Sequence, residues 1–153
     1  MAKSIASMTG TDGLEGVLKF EQASESAATV IQGEISGLKP GKHAIAIHVF
    51  GDISKPPQSL GSHFNPWGKN HGAPDDEHRH VGSLGNITVG DNGKATVHIT
   101  DKQVKLIGPQ SVIGRSIAIM EGEDDLGRGG HEKSLVNGAA GNPIACGVIG
   151  LIA

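Results

Sequence analysis

Apolar and polar positions alternate with a period of two along eight short stretches. They lie near Ser4–Met8, Glu15–Gln22, Thr29–Ser36, His43–Phe50, Gly82–Val89, Lys94–Thr100, Ser116–Met120 and Ala145–Leu151. That period marks a half-buried strand, and no stretch carries the longer period of an amphipathic helix. Asp91-Asn92-Gly93 supplies the residues of a tight hairpin turn between the fifth and sixth strands. Short strands without a long helical pattern predict an all-β chain folded as a closed or two-sheet antiparallel barrel. Two stretches break the rhythm: Gly51–Val81 and Glu121–Ile144 are long, polar and rich in Gly, His and Asp. Loops of that length inside a compact domain are unusual and are often functional.

Within the fourth stretch, Ile45, Ile47 and Val49 share one face, and Ala44, Ala46 and His48 share the other. The first face belongs in a core. The second sets His48 on the outside of the barrel, where the first long loop can fold over it.

Composition narrows this picture. A chain of 153 residues fits a single domain spanning 1–153. With 24 Gly and 7 Pro it holds too many helix breakers for a bundle. The aromatic residues are Phe20, Phe50, Phe64 and Trp67, so the core must be mostly Ile, Val, Leu and Ala. A net charge of −3 gives no electrostatic case for nucleic acid. No apolar run has the length of a membrane helix. The opening MAKSIASMTGTDG lacks the apolar stretch of a signal peptide, which leads us to expect a cytoplasmic protein. A single cysteine, Cys146, excludes a disulfide within the chain. Eight histidines against that one cysteine point any metal chemistry toward imidazole ligands.

The first long loop holds His63, His71, His78 and His80. The spacing His63-x7-His71-x8-His80 is too wide for a zinc finger, although one loop can bring three imidazoles to a metal. Spacing alone does not separate that reading from a solvated, histidine-rich loop. Asn86-Ile87-Thr88 is a formal glycosylation sequon, set aside because it falls within an expected strand.

The neighbouring words say more. In order, the chain reads FGD at Phe50–Asp52, HFNP at His63–Pro66, HG at His71–Gly72 and DDEHRHVGSLGN at Asp75–Asn86. It continues with IGRS at Ile113–Ser116, DDLGRGG at Asp124–Gly130 and ACGVIG at Ala145–Gly150. Over essentially its whole length the chain resembles the Cu/Zn superoxide dismutase family. The resemblance implies an eight-stranded antiparallel Greek-key barrel with metals held between its wall and two long loops. It also implies zinc at His63, His71 and His80, with Asp124 orienting a zinc histidine from behind, and a copper remnant at His48 and Met120. It implies a dimer face built from Ile5, Gly51, Asp52, Ile113, Gly114, Val148, Gly150 and Leu151, for a homodimer or for pairing with a related dismutase-like chain.

The departures from the family pattern fall on the chemistry. Ala46 and Met120 stand where the family has copper-ligand histidines, and Ser83 stands where it has a zinc-ligand aspartate. Pro143 replaces the arginine that guides superoxide, Val136 replaces a lysine of the charged channel, and Pro57 replaces the disulfide partner of Cys146. Cu(II) favours a tetragonal nitrogen or oxygen set, whereas a thioether favours Cu(I). The expectation is therefore a dismutase-like protein without copper-dependent turnover. Met120 reads more simply as packing at a strand end, and His48 as a leftover or surface histidine. On the zinc side two outcomes stay open: a three-histidine site completed by water, Asp75, Asp76 or His78, or an empty loop. Two other readings are an active dismutase with a rebuilt copper site at His48, His63 and Met120, with His78 and His131 as extra histidines, and a copper-chaperone-related domain. The latter is disfavoured because that chaperone needs cysteine pairs.

Overall fold

The computed structural model describes residues 1–152. Eight antiparallel strands follow the alternating stretches: β1 (Ala2–Gly10), β2 (Glu15–Gln22), β3 (Thr29–Ser36), β4 (Gly41–His48), β5 (Ser83–Val89), β6 (Lys94–Asp101), β7 (Ser116–Met120) and β8 (Pro143–Val148). A two-residue β9 (Gly150–Leu151) adds to β1. The spatial order is β5-β4-β7-β8-β1-β2-β3-β6. Strands distant in sequence therefore pair, β3 with β6 and β4 with β7, which is Greek-key connectivity. The two ends of this order, β5 and β6, are joined by the expected turn at Asp91-Asn92-Gly93, where Gly90 and Lys94 are linked by a backbone hydrogen bond of 3.0 Å. Helix is confined to one four-residue turn, α1 (Ser134–Asn137), and two 3-10 turns.

Several strands begin or end one or two residues away from the sequence reading, β1 running on from Ala2 to Gly10 and β8 starting at Pro143, and two of the shifts have a clear local reason. Val49 and Phe50 leave β4 because their amides pair with the first long loop, donating to Ser62 O and Leu60 O at 3.0 Å each. The last strand breaks at Ile149, whose amide donates to Arg115 O and whose carbonyl accepts from Gly114 N, so β8 and β9 are separate.

The alternation of β4 divides the interior into two apolar bodies. Ile45 and Ile47 sit in the main core with Phe20, Leu18, Ile31, Ile117 and Ile119. Ala44, on the other face, packs into a smaller cluster with Leu60, Ala118, Met120, Ala140 and Cys146. That second cluster lies between the barrel wall and the two long loops. It is the apolar floor on which the site is built.

Candidate metal centre

Backbone hydrogen bonds fold the first long loop onto β4. Phe64 N donates to Ile47 O at 2.8 Å, Gly82 N donates to Phe64 O at 3.0 Å, and His48 bridges to His63. His63 is thereby set beside His48, with ring centroids 5.1 Å apart and planes nearly perpendicular. His71 and His80 close on His63 from the far side, at centroid distances of 5.2 and 5.3 Å. One ligand atom from each of His63, His71 and His80 falls within 4.8 Å of the other two. All three side chains are buried.

The hydrogen bonds define which atoms face inward. Asp124 Oδ1 accepts from His71 Nε2 at 2.7 Å, which puts that ring's proton on Nε2. His71 Nδ1 then faces Ser83 Oγ at 2.7 Å and accepts from its hydroxyl. His63 Nδ1 and His80 Nδ1 share a proton across 3.1 Å. The Nδ1 atoms of His63 and His80 thus face each other, that of His71 faces the Ser83 hydroxyl, and one ligand nitrogen of each ring lies within 4.8 Å of the other two. This donor set fits zinc: three imidazole nitrogens meet in a buried space, and one ring is oriented by a carboxylate behind it. Ser83 contributes a neutral hydroxyl, so the fourth position is open to water once that hydroxyl turns away. Asp76 is committed elsewhere, to Ala73 N at 2.8 Å and to Arg128 at 2.7 Å. Asp75 and His78 are exposed and stand outside the converging group.

The copper side does not fit. Its ligand positions offer His48, His63 and the thioether of Met120, and Ala46 provides no donor. Met120 is buried in the apolar floor beside Leu60 and Cys146. His48 is buried too, which corrects its reading as a surface histidine, because the first long loop covers its face of the strand. Its Nδ1 donates to Gly61 O at 2.9 Å, and its Nε2 is buried with no partner. These residues line a cavity of about 490 Å³ that also takes in Pro143, Val136 and Pro57. Ala46 and Met120 thus leave two of the positions of a tetragonal Cu(II) nitrogen set without an imidazole. Two positively chargeable side chains, Lys133 and His131, remain in the lining.

Burial sets the charge state of the site. It holds His48 below its ordinary value of 6.5. Burial, reinforced by repulsion from His48, His71 and His80, holds His63 well below it. Burial and repulsion from His71 bring His80 to about 4. All three are neutral in the folded chain at pH 7, the state a metal requires. As pH falls through about 6.5 the unfolded metal-free chain takes up protons that the folded chain refuses. Stability is therefore fully present above that pH and declines toward about 4. Each refused proton is worth up to about 1.4 kcal/mol per pH unit, less where solvent screens the charge. Denaturant unfolding of the metal-free protein at pH 7.5 and pH 5 checks this; equal midpoints would contradict it.

Three residues that hold the site escaped the sequence reading. Asn86, set aside there as a sequon, brackets the backbone of Asp124, accepting from Asp124 N at 2.7 Å and donating to Asp124 O at 3.0 Å. Its amide is spent on placing the carboxylate that orients His71. Gly138, with φ of 72°, lies so close to Asp124 Oδ1 that a Cβ there would strike it, and that Cβ would also stand 2.9 Å from His71 Nε2. Arg79 is buried and gathers the first long loop around itself. It donates to Asp101 Oδ2 at 2.7 Å, to Pro74 O at 2.6 Å, to Val81 O at 2.8 Å and to His80 O at 3.0 Å. Neither loop position nor strand alternation signals such roles, although Arg79 and Asn86, the latter within β5, both lie in the DDEHRHVGSLGN segment.

The expected dimer face is partly apolar and open. Leu151 is 80% exposed, and Val148 and the neighbouring Phe50 are exposed as well. Ile5, Gly51, Ile113 and Gly150 are half-buried around them. Among the described residues no helix is long and apolar enough to cross a membrane. Fold, loop placement and histidine cluster agree with the comparison against protein families, in which the model for copper/zinc superoxide dismutase (SODC) matches residues 14–149. That match covers most of the chain, which belongs to the copper/zinc superoxide dismutase family.

Proposed function

We propose that this chain is a dismutase-like protein that has lost copper-dependent superoxide turnover and keeps a zinc-type site at His63, His71 and His80. One contrast carries the reading. One ligand nitrogen from each of His63, His71 and His80 lies within 4.8 Å of the other two, while beside His63 the buried His48 Nε2 has no partner and no matching ligand set around it. Loss of charge supports the same conclusion. Pro143 and Val136 leave the cavity mouth with less positive field to draw an anion in. Zinc held by the three nitrogens would cross-link the middle of the first long loop, at His63 and His71, to its end at His80. The chain's own part is to keep the rings neutral, to fix His71 through Asp124 and to tie His80 through Arg79.

Cobalt(II) tests this, because its visible absorption reports tetrahedral nitrogen ligation. The stripped wild-type chain is expected to take up about one cobalt per chain with a tetrahedral spectrum, and His71→Ala to lose it. At a free metal concentration of about 100 times Kd the gain in stability is roughly 2.7 kcal/mol. A folded chain that shows no such spectrum would contradict the reading.

A second reading, a rebuilt copper site at His48, His63 and Met120, is supported by the orphaned His48 Nε2 in the cavity that Met120 lines. Cu(I) retained by the wild-type chain and lost in Met120→Leu would favour it.

Pairing belongs to the same proposal. The face around Ile5, Gly51, Asp52, Ile113, Gly114, Val148, Gly150 and Leu151 suits a homodimer or a related dismutase-like partner, and cytoplasmic residence is compatible with the free thiol of Cys146. Sedimentation at micromolar concentration is expected to show a dimer for the wild-type chain and a monomer for Leu151→Asp. A wild-type monomer throughout would remove the homodimer.

A further inference from the structure

We infer that the chain carries a second ligand site, separate from the metal cavity, suited to a small planar heteroaromatic anion of the nucleoside-monophosphate class. It is the cavity of about 650 Å³ whose lining combines Trp67, Ile107 and Pro109 with Lys69, Lys105 and Glu25. It shares no lining residue with the cavity at His48 and Met120.

The indole is the first sign. Trp67 is the chain's one tryptophan and is 63% exposed, while Phe20 and Phe64 are buried. An aromatic of this size left in water forgoes considerable apolar burial. The backbone that carries it is ordered. Trp67 sits in the Asn65–Gly68 turn, closed by Gly68 N donating to Asn65 O at 3.3 Å. The Asn65 side chain then clamps Lys69 from both sides, donating to Lys69 O at 2.8 Å and accepting from Lys69 N at 3.0 Å.

The opposite wall is as well built. Gln22 is fully buried and uses its whole amide there. Its Nε2 donates to Glu25 O and Ala27 O at 3.3 and 3.0 Å, and its Oε1 accepts from Leu106 N and Ile107 N at 2.8 and 3.0 Å. One side chain therefore locks the segment holding Glu25 to the segment holding Lys105 and Ile107. Preorganised walls lower the ordering cost of binding.

Charge selects the occupant. Lys69 Nζ donates to Glu77 O, and Lys105 Nζ donates to Ala27 O, each at 3.2 Å. Among the described residues neither ammonium makes an ion pair with a carboxylate. Each keeps donors for an anion. The indole face accepts a stacked ring, and the Glu25 carboxylate can take a ring amine at its edge. A ring with donor groups and a phosphate uses all three features; a simple apolar molecule uses only the wall.

Trp67 reports its own occupancy, since no other indole contributes to the fluorescence. Titration of the full chain with AMP is expected to quench or shift that emission with a saturable, sub-millimolar curve. Adenosine, lacking the phosphate, should bind about tenfold more weakly, and Lys105→Gln should lose about the same factor for AMP. Ribose 5-phosphate, lacking the ring, should leave the emission unchanged. For Trp67→Leu, calorimetry should show AMP binding lost while the unfolding midpoint stays close to wild type. Overturning results are emission that never saturates with AMP into the millimolar range, or equal affinities for AMP and adenosine. Undiminished binding in Trp67→Leu would overturn the site equally.

Discussion

Arg79→Met should remove roughly 3–5 kcal/mol of stability, the cost of leaving the buried Asp101 carboxylate without its guanidinium. For a single domain whose total is about 5–15 kcal/mol, that approaches unfolding. The size follows from how much this one side chain closes. Both partners are almost wholly buried, their oxygen and nitrogen stand 2.7 Å apart, and three carbonyls of the first long loop also receive Arg79 hydrogen bonds. Asp101 is engaged as well, its Oδ1 accepting from Gln103 N at 2.8 Å and Val104 N at 3.0 Å. The double variant Arg79→Met/Asp101→Asn removes the stranded charge and should recover part of the loss. The difference between cycle arms gives the coupling. Because Arg79 holds the carbonyls of His80 and Val81, surviving folded variants should also bind metal about 10–100-fold more weakly. Urea unfolding of the four proteins checks this; a loss below about 1 kcal/mol in Arg79→Met would show that the loop carries itself.

The second large effect is a gain. Ala46→His, Met120→His and Ser83→Asp together should let the chain hold copper as well as zinc. The register makes the change local. Ala46 pairs across the ladders with Ala118 on one side and Ser83 on the other, so the new imidazole and the new carboxylate are cross-strand neighbours. Asp at 83 exchanges the hydroxyl now bonded to His71 Nδ1 for an anionic ligand. The cost is packing, since Ala46 is buried and Met120 fills the apolar floor; larger or polar groups there should take about 1–3 kcal/mol before metal returns it. Turnover should remain below that expected of a full site, because Pro143 and Val136 leave the cavity without their positive field. Adding Pro143→Arg should raise the rate, more at low ionic strength than at high. A folded triple variant that stays copper-free in metal analysis would mean that the ligand positions are misassigned.

The sequence made the barrel legible wherever strands keep one face in a core. β2, β3 and β7 have the bounds that alternation predicts, and β4 has its two faces as expected. Legibility ends where backbone pairing is decided by another segment. Val49 and Phe50 alternate correctly yet pair with the loop, and Ile149 is claimed by Arg115 and Gly114. At the site, residue type was enough to nominate His63, His71 and His80, because imidazole is informative wherever it lies. It was not enough for His48, whose burial depends on the covering loop. Asn86 and Gly138 act through hydrogen bonds and clearance across long separations, Arg79 mostly through the carbonyls of its own loop, and none of the three leaves a periodic trace. Trp67 is the reverse case: its type suggests core, and it is 63% exposed on the turn beside Asn65 and Lys69.

The most direct test of the proposed function is metal content together with superoxide turnover of the wild-type chain after loading with both zinc and copper. The account predicts about one zinc per chain, lost in His71→Ala, with no stoichiometric copper, no Cu(II) spectrum of a tetragonal nitrogen site and no turnover above free metal. Stoichiometric copper with such a spectrum and family-like turnover would contradict it, and would show that His48, His63 and Met120 have been joined by a ligand from elsewhere in the cavity.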